Sequence, residues 1–248
     1  MNFKTILEDC KSRYKGFDQK VVQTRKPRDF VTSILQAKKY GLNPIISEIK
    51  PASPSGVLRE INNVRELALE MTAGGACGVS VLTEEKYFQG ALGNLKAVSE
   101  VSNIPVLRKD FIFDEAQIDE SYYYGADSLL LISSFLKKDH LKKFIARARG
   151  YGMEPLVEIH SLRDVKKAKV AGAKVFVINN RDKDTLKIDL GKSKSLSKYI
   201  EGIKISASGI KNLDDLNFVL EYCDAALIGT SIMKADNILE KVKEFVRA

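Results

Sequence analysis

Short runs rich in valine, isoleucine and leucine begin near Pro44, Gly78, Ile104, Asp127, Glu154, Val175, Ile203 and Ala225. Each gives way to turn residues and then to a segment whose apolar positions recur with a helical period. A short apolar run followed by a 3.6-residue period reads as a strand feeding a helix, so the pattern predicts eight successive βα units. In the last of them, Ala225-Ala-Leu-Ile-Gly-Thr230 is apolar throughout, and Ile238, Leu239, Val242, Phe245 and Val246 then fall on one helical stripe. Ser161 three residues before Asp164, and Asn212 three before Asp215, stand where a side-chain oxygen would cap the first free amides of a helix.

Parallel strands buried on both faces read as continuous apolar runs without clean polar alternation, and that is the character of these strands. The α/β pattern therefore predicts a closed (β/α)8 TIM barrel, with an open doubly wound sheet as the second choice. Residues 1–43 precede the first strand, contain helical pieces rich in Lys and Arg, and end in the breaker sequence Gly41-Leu-Asn-Pro44. We expect a single domain over 1–248, in which 1–43 is an N-terminal helical extension covering one mouth of the barrel. With 248 residues, 44% of them hydrophobic, the chain can bury one large core, and no linker composition divides it.

Charge narrows the partners. The net +8, from 40 basic and 32 acidic residues, is spread in pairs such as Lys137-Lys138, Lys142-Lys143 and Lys166-Lys167, which suits small anionic molecules and not nucleic acid. Cys10, Cys77 and Cys223 are odd in number and isolated, arguing against a disulfide framework or a zinc site and for a reducing cytoplasm. No apolar run approaches the ~18 residues of a membrane span, and charges interrupt the amino terminus, so a soluble, unprocessed protein without a membrane partner is expected.

Catalytic residues of a barrel sit at the carboxyl ends of several strands. The first run, within Pro44-Ile-Ile-Ser-Glu-Ile-Lys-Pro-Ala-Ser-Pro-Ser-Gly56, ends in Glu48 and Lys50, which share a face because they are two apart. The third ends at Lys109, the fifth at Glu158, the sixth at Asn179, Asn180 and Arg181, and the seventh at Ser208. Two lysines and two carboxylates in one mouth can supply a general acid and a general base, since burial and neighbouring charges move their pKa values. Spacing does not decide which lysine donates. Gly209 and Gly229 follow the seventh and eighth strands, where exposed amides bind phosphate in such barrels. Phe88 and Phe111 follow polar strand ends and can wall a planar ring, whereas Phe113 reads as core. Taken singly, Arg108, Asp110 and Glu84 read equally well as solvated rim charges, and His140 and His160 as bystanders.

The segments Ser-Glu-Ile-Lys-Pro-Ala-Ser-Pro-Ser-Gly, Val-Leu-Thr-Glu-Glu-Lys-Tyr-Phe-Gln-Gly, Leu-Arg-Lys-Asp-Phe-Ile, Val-Glu-Ile-His, Ile-Asn-Asn-Arg-Asp and Ala-Leu-Ile-Gly-Thr-Ser occur in this order. From about residue 44 to the carboxyl end the chain resembles the indole-3-glycerol-phosphate synthase family. The resemblance implies closure of 1-(2-carboxyphenylamino)-1-deoxyribulose 5-phosphate to indole-3-glycerol phosphate, with loss of carbon dioxide and water, in tryptophan biosynthesis. It implies a small phosphorylated substrate and no metal or organic cofactor; the sequence does not reveal the oligomeric state, and a monomer is favoured. Carried over by motif, Lys109 would be the general acid at the substrate carbonyl and Glu158 the base in dehydration. Lys50 would be a positioning or acid group held by Glu48, and Asn179 would orient the intermediate. Arg181 would lie near the substrate carboxylate, Phe88 and Phe111 along its ring, and Ser53, Gly209, Gly229 and Thr230 at its phosphate, with Ser208 a further substrate-binding residue.

Two positions depart from the family pattern: Ala207 stands where a glutamate is usual, and Lys183 where leucine is common. An alternative is therefore a catalytically impaired relative that retains phosphate-substrate binding. A phosphoribosylanthranilate isomerase would need a cysteine and an aspartate at early strand ends, where Lys50 and Lys109 stand instead. A Schiff-base aldolase would need a lysine of depressed pKa, and Glu48 is expected to keep Lys50 charged.

Overall fold

The computed structural model describes residues 3–22, 25–54 and 56–248; Ser55 of the Pro44–Gly56 segment, and Met1, Asn2, Gln23 and Thr24 of the expected extension, lie outside the described residues. Eight parallel strands close into a barrel: β1 (Ile45–Ile49), β2 (Gly78–Leu82), β3 (Val106–Lys109), β4 (Ser128–Ile132), β5 (Leu156–Ile159), β6 (Val175–Asn179), β7 (Ile203–Ala207) and β8 (Ala225–Ile228). Each pairs with its successor, and β8 returns to β1 through Ile45↔Ala226 and Ser47↔Ile228, which leaves the ring no open edge. The fold is the (β/α)8 barrel that the apolar runs predict, and not the open sheet.

Successive side chains of a strand point to opposite faces, and the two faces are filled separately here. Ile46, Leu107, Leu130, Leu156, Val177 and Ile205 pack inside the barrel, whereas Val79, Val106, Leu129, Val157, Phe176 and Ile228 pack between the strands and the surrounding helices. At the carboxyl ends the inward rows finish in Glu48, Lys109, Glu158, Asn179 and Ala207. Arg108, one residue from Lys109, belongs to the outward row. It is 2% exposed and is not the rim charge it could have been. Its guanidinium donates to Thr83 Oγ1 at 3.2 Å, Gln117 O at 3.0 Å and Asp110 Oδ2 at 3.0 Å, and pairs with Glu120 at 2.8 Å. The helical caps follow the sequence: Ser161 accepts the amide of Asp164, and Asn212 that of Asp215.

The helices α1 (Phe3–Arg13) and α2 (Phe30–Lys39) lie at opposite ends of the barrel, where a cover at one mouth was expected. α2 plugs the amino-terminal end: Phe30 and Ile34 are buried, Ser33 Oγ donates to Cys77 O, and the Phe30 ring lies so close to Gly78 that a Cβ there would meet it at 2.4 Å. α1 crosses the carboxyl-terminal mouth, where Arg13 pairs with Glu84 at 2.7 Å and Lys86 with Asp9 at 2.8 Å. Between them, Arg25 and Arg28 converge on the buried carboxylate of Asp127, which also accepts the amides of Arg28 at 2.7 Å and Val106 at 2.8 Å.

Asp127→Ala would take the shared carboxylate from both guanidiniums, leaving them only neutral acceptors such as Gly125 O and Ile104 O, and would remove the acceptor of the Arg28 and Val106 amides. Urea unfolding should show a loss of about 2–4 kcal/mol, and a loss under about 0.5 kcal/mol would mean that this clamp does not hold the extension to the barrel.

Candidate active site

The carboxyl-terminal mouth encloses a cavity of about 430 Å³, and of the site candidates singled out from the sequence all but Asn180 line it. The strands explain why. Glu48, Lys109, Glu158 and Asn179 end inward rows, and Lys50 lies one residue beyond β1, where the chain turns over the mouth.

Glu48 is the centre of charge. Its Oε2 is 3.4 Å from Lys109 Nζ and its Oε1 3.9 Å from Lys50 Nζ, and Ser80 Oγ donates to it at 3.5 Å. Burial works against the Lys109 ammonium, but Glu48 and then Glu158 outweigh it and hold this lysine above its ordinary pKa. At Lys50 burial wins: Glu48 offsets it only in part, while Lys109 and Arg181 repel a further positive charge, so its pKa is lowered. Glu48 favours the charged form of Lys50, as expected, but burial outweighs it and leaves the pKa below its ordinary value. Of the two, Lys50 gives up a proton more readily.

Glu158 is 2% exposed. Burial raises its pKa, but the hydrogen bond with His160 at 2.9 Å, the charge of Lys109 and a hydrogen bond with Asn179 together lower it, so the carboxylate is ionised. Asn179 Oδ1 accepts the amide of Arg181 at 3.0 Å. Asn180 points the other way, donating to Ser206 Oγ at 2.9 Å and Ser208 O at 3.1 Å, which braces the turn after β7. His160, read from the sequence as a bystander, is therefore a partner of the site: β5 ends at Ile159, and the chain bends so that the ring folds back onto Glu158.

The two ends of the cavity differ in character. At one, Ser208 and Gly209 take left-handed φ values of +69° and +93°, and Gly229 leads into Thr230, whose hydroxyl accepts from Lys50 Nζ at 3.4 Å. A Cβ at Gly229 would stand 2.6 Å from Glu48 Oε1, so glycine is required where the β8 turn passes the central carboxylate. Ser53 lines the cavity as well. At the other, Phe88 and Phe111 lie with ring centroids 6.4 Å apart, and Phe3 of α1 meets Phe111 edge-on at 6.2 Å. Glu84 holds this wall: it is 4% exposed and accepts the amides of Lys86, Tyr87 and Phe88. It is a cap, not a rim charge. Phe3, Leu58, Leu186 and Lys234 also line the cavity and had no local signal in the sequence, since they reach it by packing from the extension and loops.

A cavity with a polar, cationic end, an apolar aromatic end and an acid–base cluster between them suits a molecule that carries phosphate on one side and an aromatic ring on the other. The sequence model of the family described as indole-3-glycerol phosphate synthase matches residues 3–245. An indole-3-glycerol phosphate synthase of Methanocaldococcus jannaschii is 46% identical over 98% of this chain and 92% of its own length. One of Acetivibrio thermocellus is 40% identical over 93% and 90%. Among solved structures, a 3-hexulose-6-phosphate synthase superposes with a TM-score of 0.67 at 17% identity, covering 82% of this chain and 97% of the other, a likeness of fold alone.

Gly209→Ala would force a side chain onto a left-handed backbone and bring its methyl 2.4 Å from Ile188 Cγ2. Calorimetric titration with inorganic phosphate should show affinity reduced about tenfold, from strain of 1–2 kcal/mol; an unchanged Kd would remove this turn from the anion site.

Proposed function

The chain belongs to the indole-3-glycerol phosphate synthase family, and on that premise we propose how its pocket performs the ring closure. The protein is a carbon–carbon lyase, a carboxy-lyase of tryptophan biosynthesis acting on 1-(2-carboxyphenylamino)-1-deoxyribulose 5-phosphate. One carboxylate leaves as carbon dioxide and the carbonyl oxygen leaves as water.

In this reading the substrate phosphate rests on the Ser208–Gly209 and Gly229–Thr230 turns with Ser53, its ring lies against Phe88 and Phe111, and its carboxylate faces Arg181. The ring carbon that bears the carboxylate attacks the carbonyl carbon while Lys109 gives a proton to the carbonyl oxygen. Loss of carbon dioxide returns the electron pair of the broken bond to the ring and restores its aromaticity. Glu158 then takes a proton from the carbon beside the nitrogen, and Lys50, the more willing donor, protonates the departing hydroxyl. Asn179 orients the intermediate against Glu158. The observation that carries this reading is the placing of Lys109 and Lys50 on the two oxygens of Glu48, at 3.4 and 3.9 Å, between a phosphate-type end and an aromatic wall.

Residues 1–248 are read as one domain with 1–43 as its extension. Among the described residues no helix is long and apolar enough to cross a membrane, and the three cysteines are free thiols, in keeping with a cytoplasmic setting. Nothing among the relatives favours the alternative of an impaired binder; the acid and base candidates are all present around Ala207.

Mixing the protein with the anilino-deoxyribulose phosphate should produce indole fluorescence. Lys109→Ala and Glu158→Gln should each lower kcat by about 10²- to 10⁴-fold, the usual range for a lost general acid or base. Binding of the substrate by the parent with no indole formed would sink the assignment. Ala207→Glu, adding a carboxylate beside Asn179 in the neighbouring strand, should alter kcat or KM; if both stay unchanged, the departure at this position is without effect on the site.

A further inference from the structure

Behind the cavity, His160 is a buried titratable side chain that the ring-closure steps do not use. Its Nδ1 lies 3.2 Å from the main-chain oxygen of Arg181 and its Nε2 2.9 Å from Glu158 Oε1. A carbonyl oxygen can only accept, so Nδ1 carries a proton in this arrangement. An ionised carboxylate can also only accept, so Nε2 carries one as well, and the ring is an imidazolium between two acceptors.

We propose that His160 is a positioning residue for Glu158, its imidazolium fixing one carboxylate oxygen through Nε2 and tying it through Nδ1 to the Arg181 segment that faces the substrate carboxylate. This rests on Glu158 being the base. One side chain thereby links the group that removes a proton to the loop that reads the substrate charge.

The surroundings favour the charged ring. Burial disfavours the imidazolium, but the hydrogen bond and charge of Glu158, then the charge of Asp164, outweigh it and raise the pKa above its ordinary 6.5. Asp164, at the start of the helix Leu162–Ala171, also accepts the His160 amide at 3.2 Å, while Lys109 on β3 faces Glu158 and favours its ionised form. The guanidinium of Arg181 is felt by Lys50 and Lys109 in the cavity, while its main-chain carbonyl is the group His160 binds. The signs are complementary. Glu158, lowered, stays ionised below its ordinary 4.5, and His160, raised, stays protonated above 6.5. The pair is complete between these values; it is lost in acid as Glu158 protonates and in base as His160 deprotonates.

The test has one readout that does not depend on turnover. The chain has two histidines, so imidazole NMR signals can be assigned by the loss of one in His160→Gln. His160 should titrate above 6.5 in the parent and move down by at least about one unit in Glu158→Gln. In activity, His160→Phe should lower kcat about ten- to a hundredfold, the worth of a charge-assisted hydrogen bond, and move the acid limb of the kcat profile to higher pH. His160→Gln, which can still donate to Glu158, should recover most of that kcat and keep the acid limb nearer the parent's. Identical His160 titration in the parent and Glu158→Gln, or a His160→Phe profile superimposable on the parent's, would overturn the proposal. Should His160→Phe fail to fold, the NMR comparison and the His160→Gln profile decide it. If Glu158→Gln keeps full turnover, the base assignment fails instead, and the titration still reports whether the pair exists.

Discussion

Closing eight parallel strands into a ring commits every second side chain of each strand to the interior, and this alternation places the chemistry. Lower in the barrel the inward rows are filled by Ile46, Leu107, Leu156 and Val177; at the carboxyl ends the same rows deliver Glu48, Lys109, Glu158 and Asn179 to one mouth. A shift of one residue in the register of β3 would exchange Lys109 for Arg108. The cation would then lie in the helix layer, and the guanidinium that binds Asp110 and Glu120 there would lose both. Gly229 belongs to the same constraint, because β8 passes Glu48 so closely that the carboxylate occupies the place of a side chain.

Charges gathered in this way have to be balanced, and here the balance is left open. Of the carboxylates that line the cavity, Glu84 is paired with Arg13 and Asp110 with Arg108, so Lys50, Lys109, Arg181 and Lys234 have Glu48 and Glu158 left to face, and Ala207 adds no other. Two unit charges 4 Å apart interact by about 4 kcal/mol at the effective dielectric of a protein surface, so an excess cation in a half-closed mouth is a substantial term. The lowered pKa values of Lys50 and Arg181 come first from burial, and at Lys50 the charges of Lys109 and Arg181 add to it. A substrate that brings a phosphate and a carboxylate supplies the missing negative charge. Binding then raises the positive character of the lysines at the moment a proton is needed, since an anion beside an ammonium favours its charged form.

The barrel and its site were legible in the sequence to the extent that they follow from periodicity and strand ends. Eight apolar runs were enough for the closed sheet, and the polar residues that break them were enough for the cavity. What escaped depends on where the chain goes after a strand stops. His160 is two residues beyond Glu158, which in a continuing strand keeps it on the same face but too far along to touch; only the bend after Ile159 brings the ring back. Lys50 was placed on the strand with Glu48, and its position just past the strand end gives it a longer contact and a lowered pKa. Arg108 and Glu84 looked like rim charges because local sequence does not reveal that a helix, or three free amides, will cover them.

The extension is the part furthest from local rules, and it is tied to the site through one carboxylate. Glu84 caps the short helix Glu85–Phe88 and so sets the angle at which Phe88 enters the cavity; the same side chain accepts the guanidinium of Arg13 at the end of α1. At the start of α1, Phe3 packs edge-on against Phe111. The aromatic wall is therefore built from two barrel loops and held at both ends by one helix of the extension. The ion pair of Arg13 is partly exposed and contributes little to stability by its charge alone. Its consequence is geometric: a helix that lifted from the mouth would remove one ring from the wall and release the cap that orients another, so the seat of the substrate ring exists only while the extension lies across the barrel.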